Sequence, residues 1–397
     1  MKQRITRFVA AAVMAALVLV GAPRAQAADP LEIPVIFPLT GGFSYAGQLG
    51  KATLTAMQDQ VNKEGGIHGQ PLKFVFYDDQ GVPQTAVQVT TEAMAAKPVA
   101  IIGSMFVALC QAMEPITRGK AVQYCISPGV HPPYGADLFS ASIATDGMAT
   151  AMIRNMREKG WKKIATITST DASGQDAENQ LKTAVALPEN AAKGVTIVDA
   201  EHFNPADQTV VAQMQRIRTS NPDVVVIWTS GAPFGTVVHA YNDAGLTAPV
   251  FTTNANLSYT FMKQFADILP KDLYFPAPAF LGPGAPGVQP RVRDAIKKFT
   301  DTMKSANIVV DFQSGNSWDP PALVIDGLRH LPAGATYAQL RDWILAQRNW
   351  AGVSGTYDFS QGPGSQRGLT VKDTMILKWD PSKQLFVSVS RLGGMPT

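Results

Sequence analysis

Short apolar segments alternate with amphipathic stretches along most of this chain, and this alternation limits the possible folds more than any other feature. The segments are nearly continuous in apolar residues, as in VVVIW at 224–228, which is typical of strands buried on both faces of a sheet. Between them lie helical patterns long enough to connect parallel strands. The sequence therefore predicts an α/β fold with parallel sheets covered by helices. The predicted strands are 32–37, 73–77, 99–103, 122–126, 163–168, 196–202, 223–228, 249–253 and 273–275.

The predicted strands are too many for one sheet of ordinary size. We therefore expect two α/β lobes, the first ending near Ile143 and the second starting near Gly147. A proline-rich stretch, 276–290, interrupts the alternation. The pattern after it predicts helices at 292–305, 321–331 and 337–347. The last segments, 373–379 and 384–390, predict a β-hairpin.

The first 27 residues have the pattern of a cleaved secretory signal peptide. Lys2, Arg4 and Arg7 precede an apolar run at 8–20, and small residues lie just before position 28. An apolar run of 13 residues is too short for a membrane-spanning helix, which needs about 20. We expect the mature chain to begin near Ala28 and to be periplasmic. Because no cysteine lies at the cleavage point, we expect no lipid anchor.

Charge and motifs exclude several classes of function. Removal of the four basic residues of the N-terminal segment leaves 34 − 4 = 30 basic against 31 acidic residues, a net charge of −1. A near-neutral chain lacks the basic surface of nucleic-acid or anionic-membrane binders. No nucleophile elbow, P-loop or dinucleotide fingerprint follows a strand, and the five histidines are isolated from one another. We therefore expect no enzyme activity, no cofactor and no metal.

The two cysteines lie where a disulfide is geometrically feasible. Cys110 falls in the first turns of a predicted helix, 105–118, and Cys125 near the end of the next strand. Both would lie toward the same end of a sheet, and an oxidising compartment permits the bond. The alternative is a pair of buried thiols packed as small apolar groups.

One stretch is distinctive: VNKEGGIHGQPLKFVFYDD, 61–79, in which a helix end is followed by a Gly-Gly turn and a strand that ends in acidic residues. With it, the chain resembles the periplasmic substrate-binding proteins of branched-chain amino-acid ABC transporters, the leucine/isoleucine/valine-binding-protein-like group with the type I periplasmic binding fold. Further segments agree in the same order: PLTGGFSYAGQLG (38–50), ISPGVHPP (126–133), DASGQD (171–176), NPDVVVIWTSG (221–231) and GVSGTYDFS (352–360).

The resemblance implies a clamshell of two Rossmann-like lobes joined by three crossings, near 143–147, 275–280 and 350–357. Residues 28–145 with 278–352 would form the first lobe, and residues 146–277 with 353–397 the second. A monomer would close on a ligand in the cleft and present it to a membrane permease, since hinge closure converts binding into a conformational signal.

The resemblance also places the first lobe's ligand positions on the loops after its strands. After strand 99–103 the family offers a small hydroxyl residue to a ligand carboxylate, and this chain lacks it. The residues there are Phe106, Val107 and Ala108.

In the next loop of the first lobe, the family holds the same carboxylate with a hydroxyl and a backbone N–H at a helix start. The corresponding residues here are Ser127 and Gly129, and helix starts favour anions. His131 stands where a threonine is common. The alternative for His131 is a partly exposed loop residue that stacks on Pro132 or Pro133.

In the second lobe, Ser173 replaces the family's tyrosine, and Thr229 or Ser230 follows the VVVIW strand. Relatives that bind α-amino acids commonly carry an acid where this chain has Asn254, and no acidic residue occurs in 250–265. Because a buried ammonium group without a carboxylate partner is costly, we expect a ligand with an anionic or polar end and no α-ammonium.

Flat apolar side chains near the expected cleft favour an aromatic ring in the ligand. They are Phe43, Tyr45, Phe106 and Trp228. The first choice is a benzoate- or cinnamate-like acid. The second choice is an aliphatic acid or amide. The third is a branched-chain amino acid, which would require Asp171 to take the place of the missing acid. The alternative role for these four aromatic side chains is packing in the protein core rather than contact with a ligand. The alternative function is a ligand-binding partner of a sensor.

Overall fold

The computed structural model describes residues 29–360 and 366–397. The expected signal peptide, 1–27, lies outside the described residues. Within the described ranges, no helix is both long enough and apolar enough to cross a bilayer.

The first sheet contains five parallel strands in the order β2-β1-β3-β4-β5. Its strands are β1 (Leu31–Phe37), β2 (Leu72–Asp78), β3 (Ala100–Gly103), β4 (Val122–Cys125) and β5 (Leu138–Ser140). The connecting helices are α1 (Ser44–Lys63), α2 (Pro83–Met94) and α3 (Val107–Thr117). β5 was not predicted, because a strand of three residues shows no readable periodicity.

The second sheet has seven strands in the order β14-β13-β10-β9-β8-β6-β7. The five neighbouring strands β7, β6, β8, β9 and β10 are parallel to one another. β13 and β14 form an antiparallel hairpin, and β13 pairs antiparallel with β10. The central β8 has all five residues buried, as its sequence predicts. The strands are β6 (Lys163–Ser169), β7 (Thr196–Phe203), β8 (Val224–Trp228), β9 (Val250–Thr252), β10 (Leu273–Ala277), β13 (Met375–Asp380) and β14 (Leu385–Ser388).

Six helices belong to this second part of the chain: α4 (Thr145–Glu158), α5 (Ala172–Ala186), α6 (Pro188–Ala191), α7 (Val211–Ser220), α8 (Ala232–Asp243) and α9 (Tyr259–Gln264). The chain then returns to the first sheet. The returning elements are α10 (Pro290–Ser305), α11 (Phe312–His330), α12 (Tyr337–Leu345) and the short hairpin β11 (Trp350–Ala351) and β12 (Thr356–Tyr357). α11 packs along α1. The structure is therefore the two-lobed α/β fold that the sequence predicts.

α11 begins at Phe312, whereas the sequence pattern predicts a start at 321. Pro320 and Pro321 lie inside the helix, and prolines favour a first helical turn over an interior. The longer helix is stabilised by a capping box, in which Asp311 accepts from Ser314 and Gln313. Nearly all side chains of its first ten residues are also buried. Burial and capping together outweigh the lost backbone hydrogen bonds.

The chain after β11 stays with the first lobe, contrary to the boundary expected at 352. The buried carboxylate of Asp319 in α11 accepts hydrogen bonds from Val353 N–H (2.8 Å), Ser354 N–H (2.9 Å) and the Tyr357 hydroxyl (2.9 Å). Phe359 packs edge-on against Phe139 of β5 at 5.8 Å. We therefore place the third crossing near 368–374, where a 3₁₀ turn contacts α4.

Cys110 and Cys125 form a disulfide in the structure, with their Cα atoms 6.0 Å apart. The bond joins the first turn of α3 to the last residue of β4. It lies in a small apolar cluster with Val107, Val130 and Leu138, and it ties together two loops that approach the space between the lobes.

Candidate ligand-binding cleft

A cleft of about 300 Å³ lies between the two lobes. Its walls are the loops that follow strands β1, β2, β3 and β4 of the first sheet and β6, β7, β8 and β9 of the second. In parallel α/β sheets this edge, beyond the carboxyl ends of the strands, is where ligands bind. The cleft is lined by Gly42, Phe43, Gln80, Gly81, Met105, Phe106, Val107, Ser127, Pro128, Ser169, Asp171, Ser173, Pro205, Trp228, Thr229, Ser230, Gly231, Ala232, Pro233, Thr253 and Ala255.

Eight of the predicted site residues line this cleft: Phe43, Phe106, Val107, Ser127, Ser173, Trp228, Thr229 and Ser230. The rings of Phe43 and Phe106 are 5.1 Å apart and inclined by 55°, so they form one aromatic wall. Trp228 is only 2% exposed. Its side chain is mainly part of the second lobe's core.

Four helices begin at the cleft. Their N-cap residues, Phe43 of α1, Phe106 of α3, Asp171 of α5 and Gly231 of α8, all line it. In α1, α3 and α8 no side chain caps the helix start. Ser44, Ala46 and Phe234 donate to neighbouring carbonyls, and α8 has a proline in its first turn. The helix dipoles and the remaining N–H groups therefore give the cleft a positive potential that favours an anion.

The charged side chains at the cleft are few. No lysine or arginine is among the lining residues. The lining carboxylate, Asp171, accepts from Gly174 N–H at 2.9 Å and from the Ser169 hydroxyl at 3.0 Å. Asp171 therefore caps α5 through Oδ1 alone, and its Oδ2 remains able to accept from a ligand donor.

Side-chain hydroxyls and the amide of Gln80 supply further polar atoms of the cleft. Within the described residues, the side chains of Ser127, Ser173, Thr229 and Ser230 make no hydrogen bond to another protein group. Each can donate a hydrogen bond to a ligand oxygen or accept one from a ligand donor. Ser127 and Thr229 come from opposite lobes, so a ligand between them would touch both.

The sequence interpretation missed the lining residues after β2 and β7, namely Gln80, Gly81 and Pro205. The rule that ligand loops follow strands, applied to every predicted strand, would have found them. Behind Gly81, the buried Asp79 accepts from Gly81 N–H (2.8 Å) and the Ser104 hydroxyl (2.6 Å). Burial raises the pKa of Asp79. This carboxyl holds the β2 and β3 loops together.

Two of the predicted residues on the first lobe lie beside the cleft. Tyr45 is one residue inside α1, and its ring stacks on Phe261 of the second lobe at 5.4 Å. Its hydroxyl is buried without a hydrogen-bond partner in the described structure. Ala108 is exposed in the first turn of α3, since helical geometry turns it away from the side on which Phe106 and Val107 face the cleft.

Gly129 and His131 contact the other lobe rather than line the cleft. His131 Nε2 lies 2.9 Å from Asp176 Oδ1 on α5, and a Cβ on Gly129 would lie 3.1 Å from Asp176 Oδ2. Contact with His131 lowers the pKa of Asp176 against the opposing effect of burial. The loop at 127–131 therefore closes onto α5, and the two lobes are in contact.

Asn254 does not reach the cleft either. It is 1% exposed, and its Nδ2 donates to the Ser142 hydroxyl at 3.3 Å in the first crossing. The 3₁₀ turn after β9 directs this side chain toward the hinge. The absence of an acid at position 254 therefore does not show whether the ligand carries an ammonium group. The residues that line the cleft are the evidence that bears on the ligand.

Comparison with known proteins identifies the family. The family profile described as periplasmic binding protein matches residues 30–384. The chain is 25% identical over 252 residues to the leucine-, isoleucine-, valine-, threonine-, and alanine-binding protein of Pseudomonas aeruginosa, covering 62% of this chain and 65% of that protein. The match thus spans slightly less than two thirds of that relative.

Solved structures share the fold. An extracellular ligand-binding receptor from Rhodopseudomonas palustris HaA2 superposes with a TM-score of 0.80 at 21% identity, covering 91% of this chain and 99% of that one. An ABC transporter solute-binding protein from R. palustris, solved in complex with benzoate, gives a TM-score of 0.76 at 18% identity, covering 93% and 97%. This chain therefore belongs to the periplasmic binding protein family and has the two-lobed fold of its type I members.

Proposed function

We propose that this chain is the periplasmic solute-binding component of an ABC importer, and that its ligand is a small aromatic carboxylate. Closure of the two lobes would trap the ligand and present it to a membrane permease. The observation that carries the proposal is the convergence of four helix N-termini, three of them without a side-chain cap, on a cleft with an aromatic wall.

The polar lining supports an anionic group in the ligand. Uncapped N–H groups and free hydroxyls can donate several hydrogen bonds to a carboxylate without a basic side chain. An α-ammonium group would need a carboxylate partner in the same space. Asp171, the acidic residue of the lining, caps α5 through Oδ1, so only its Oδ2 is left for an ammonium group.

The apolar part of the cleft lining supports an aromatic ring in the ligand. Phe43 and Phe106 present a tilted aromatic pair, and such pairs bind a third ring by edge-to-face or offset contact. The volume of about 300 Å³ suits a single-ring acid. A solved protein of the same fold is recorded with benzoate.

The experiment is isothermal titration calorimetry on a chain that begins at Ala28 and has been refolded free of carried-over ligand. Benzoate, benzamide and leucine are the probes. We expect benzoate to bind and its neutral amide to bind at least tenfold more weakly, since the amide lacks the charge that the helix starts favour. Leucine should not bind measurably.

Tighter binding of leucine than of benzoate would overturn the aromatic-acid assignment and favour an amino-acid carrier, as the name of the Pseudomonas relative suggests. Mass spectrometry of benzoate recovered from the complex tests the carrier role. An importer component returns the acid unchanged, whereas a modified product would contradict the proposal.

A further inference from the structure

Arg367 is a buried cation next to the cleft. Its side chain is 5% exposed, and burial lowers the pKa of its guanidinium to about 10, so it is charged at neutral pH. All of its hydrogen bonds go to neutral oxygens. The acceptors are Ser140 Oγ (2.8 Å), Ala141 O (3.1 Å), Ser142 O (3.4 Å), Pro128 O (3.0 Å) and Val130 O.

These acceptors come from two segments. Three belong to the end of β5 and the first crossing, and two to the cleft loop at 127–131. The carboxylates of Asp146 and Asp176 influence Arg367 only through longer-range attraction. The guanidinium thus lies between the hinge and the cleft loop, and the loop's carbonyl groups point back toward it.

The peptide between Pro128 and Gly129 shows what this contact does. The Pro128 carbonyl accepts from Arg367 at 3.0 Å. In a planar trans peptide the N–H points opposite to the carbonyl, so the Gly129 N–H points away from the guanidinium. Pro128 lines the cleft. Gly129 is not itself a lining residue, but it lies against Val107, which is one.

The charge itself has a second consequence. The cleft has no lysine or arginine in its lining, yet Arg367 lies one peptide behind it. A buried charge is screened much less than an exposed one. The peptide dipole and the guanidinium both favour an anion on the cleft side of the loop, whereas the carboxylate of Asp176 beside Gly129 acts against them.

We propose that Arg367 is a positioning residue for the ligand carboxylate: it orients the Pro128–Gly129 peptide toward the cleft and supplies positive potential behind it without touching the ligand. This inference rests on the proposed function, because it requires an anionic ligand. The competing explanation is a purely structural role, in which Arg367 only fastens the loop to the hinge.

The two explanations differ in the selectivity of the cleft for acid over amide. The test compares benzoate and benzamide binding by calorimetry in wild type, Arg367→Met and Arg367→Lys. Arg154→Met is the control, since Arg154 also donates to a backbone carbonyl, that of Gly393 (2.7 Å), but lies in the second lobe outside the cleft lining. Circular dichroism and thermal unfolding verify the fold of each variant.

We expect Arg367→Met to reduce the ratio of benzoate to benzamide affinity at least tenfold. Arg367→Lys, which keeps the charge, should reduce the ratio less than threefold, and Arg154→Met should leave it unchanged. Equal weakening of both probes in Arg367→Met, or an unchanged ratio, would show a structural role and overturn the inference. A wild type without preference for benzoate would instead overturn the proposed function.

If Arg367→Met does not fold, a measurement on the wild type decides the question. The backbone amide resonance of Gly129 is followed by NMR during titration with benzoate and with benzamide. The inference expects a downfield shift of the Gly129 amide proton with benzoate and a smaller one with benzamide. No response of this amide to saturating benzoate would refute it.

Discussion

At the scale of single residues, Asp311 combines burial with a position at the junction of the lobes. It caps α11, and the neighbouring Phe312 N–H donates to Leu257 O of the second lobe at 3.1 Å. Ser258 of that lobe also donates to its carboxylate. Burial raises the pKa of Asp311 to about 6, although these hydrogen bonds act in the opposite direction.

Replacement of Asp311 by Asn should remove a pH dependence of stability. The pKa of this carboxyl is higher in the folded protein than in the unfolded chain. Its contribution to the free energy of unfolding is therefore largest below about pH 4 and is lost as the pH rises toward 6. Asn keeps the helix cap but does not titrate. Urea unfolding between pH 4 and pH 7.5 should show the free energy of unfolding of wild type falling relative to that of Asp311→Asn, by on the order of 2 kcal/mol.

Asp267, whose side chain is exposed, provides the matched Asp-to-Asn control. A constant difference between wild type and Asp311→Asn across this range would show that the carboxyl titrates normally.

Phe106 tests the aromatic wall of the cleft. Phe106→Leu keeps an apolar side chain but removes the ring that faces Phe43. Aromatic contacts are worth about 0.5–1.5 kcal/mol beyond area burial, so benzoate affinity measured by calorimetry should fall up to about tenfold. Tyr134 is 49% exposed and outside the cleft, and Tyr134→Leu is the matched control. Unchanged benzoate binding in Phe106→Leu would argue against ring contact.

At the scale of elements, the start of α5 is held close to the end of β6. A Cβ on Gly174 would lie 1.8 Å from the carbonyl oxygen of Ser169, a distance that no side chain tolerates. Only a glycine allows the helix start, with Asp171 and Ser173, to reach the cleft next to the strand. Gly174 therefore fixes the position of one of the four converging N-termini.

Gly174→Ala should destabilise the protein although alanine favours helices. The clash requires a shift of α5 or β6, and overpacking of this kind costs about 1–3 kcal/mol. Gly284→Ala is the control, because nothing lies within 4 Å of its added Cβ, and its effect should stay within about 0.5 kcal/mol. Thermal and urea unfolding measure both. Equal stability of the two variants would mean that α5 moves freely.

At the scale of the whole molecule, contacts across the cleft hold the lobes together. His131 of the first lobe meets Asp176 of α5 at 2.9 Å, and Tyr45 stacks on Phe261. A second pair on the same helix, His202 with Glu178 at 2.9 Å, lies entirely within the second lobe. Opening the lobes would break the first pair and leave the second intact.

His131→Ala and Asp176→Asn should therefore accelerate benzoate dissociation in stopped-flow experiments, by about two- to fivefold. A partly exposed pair contributes about 0.2–1 kcal/mol, and the double variant should add little to either single one. His202→Ala should leave the dissociation rate unchanged. If His202→Ala accelerated dissociation as much as His131→Ala, the bridging contact would not be what holds the lobes closed.

The sequence predicts well what depends on neighbouring residues. Strands such as β8 and crossover helices such as α7 are found from local periodicity, and parallel strands joined by helices place all their C-terminal loops at one edge. The family resemblance adds ligand positions such as Ser127 and Thr229 on these loops. The number of predicted strands also indicates two lobes.

Only the tertiary structure decided which side chains face the cleft and where the lobes divide. Tyr45, His131 and Asn254 turn to other partners because packing against distant segments sets their direction. Asp319 keeps residues 353–357 on the first lobe through buried hydrogen bonds. Arg367 lies 239 residues from Pro128 along the chain. The sequence by itself determined most of the elements and their order, whereas a contact of this kind exists only once the whole chain has folded.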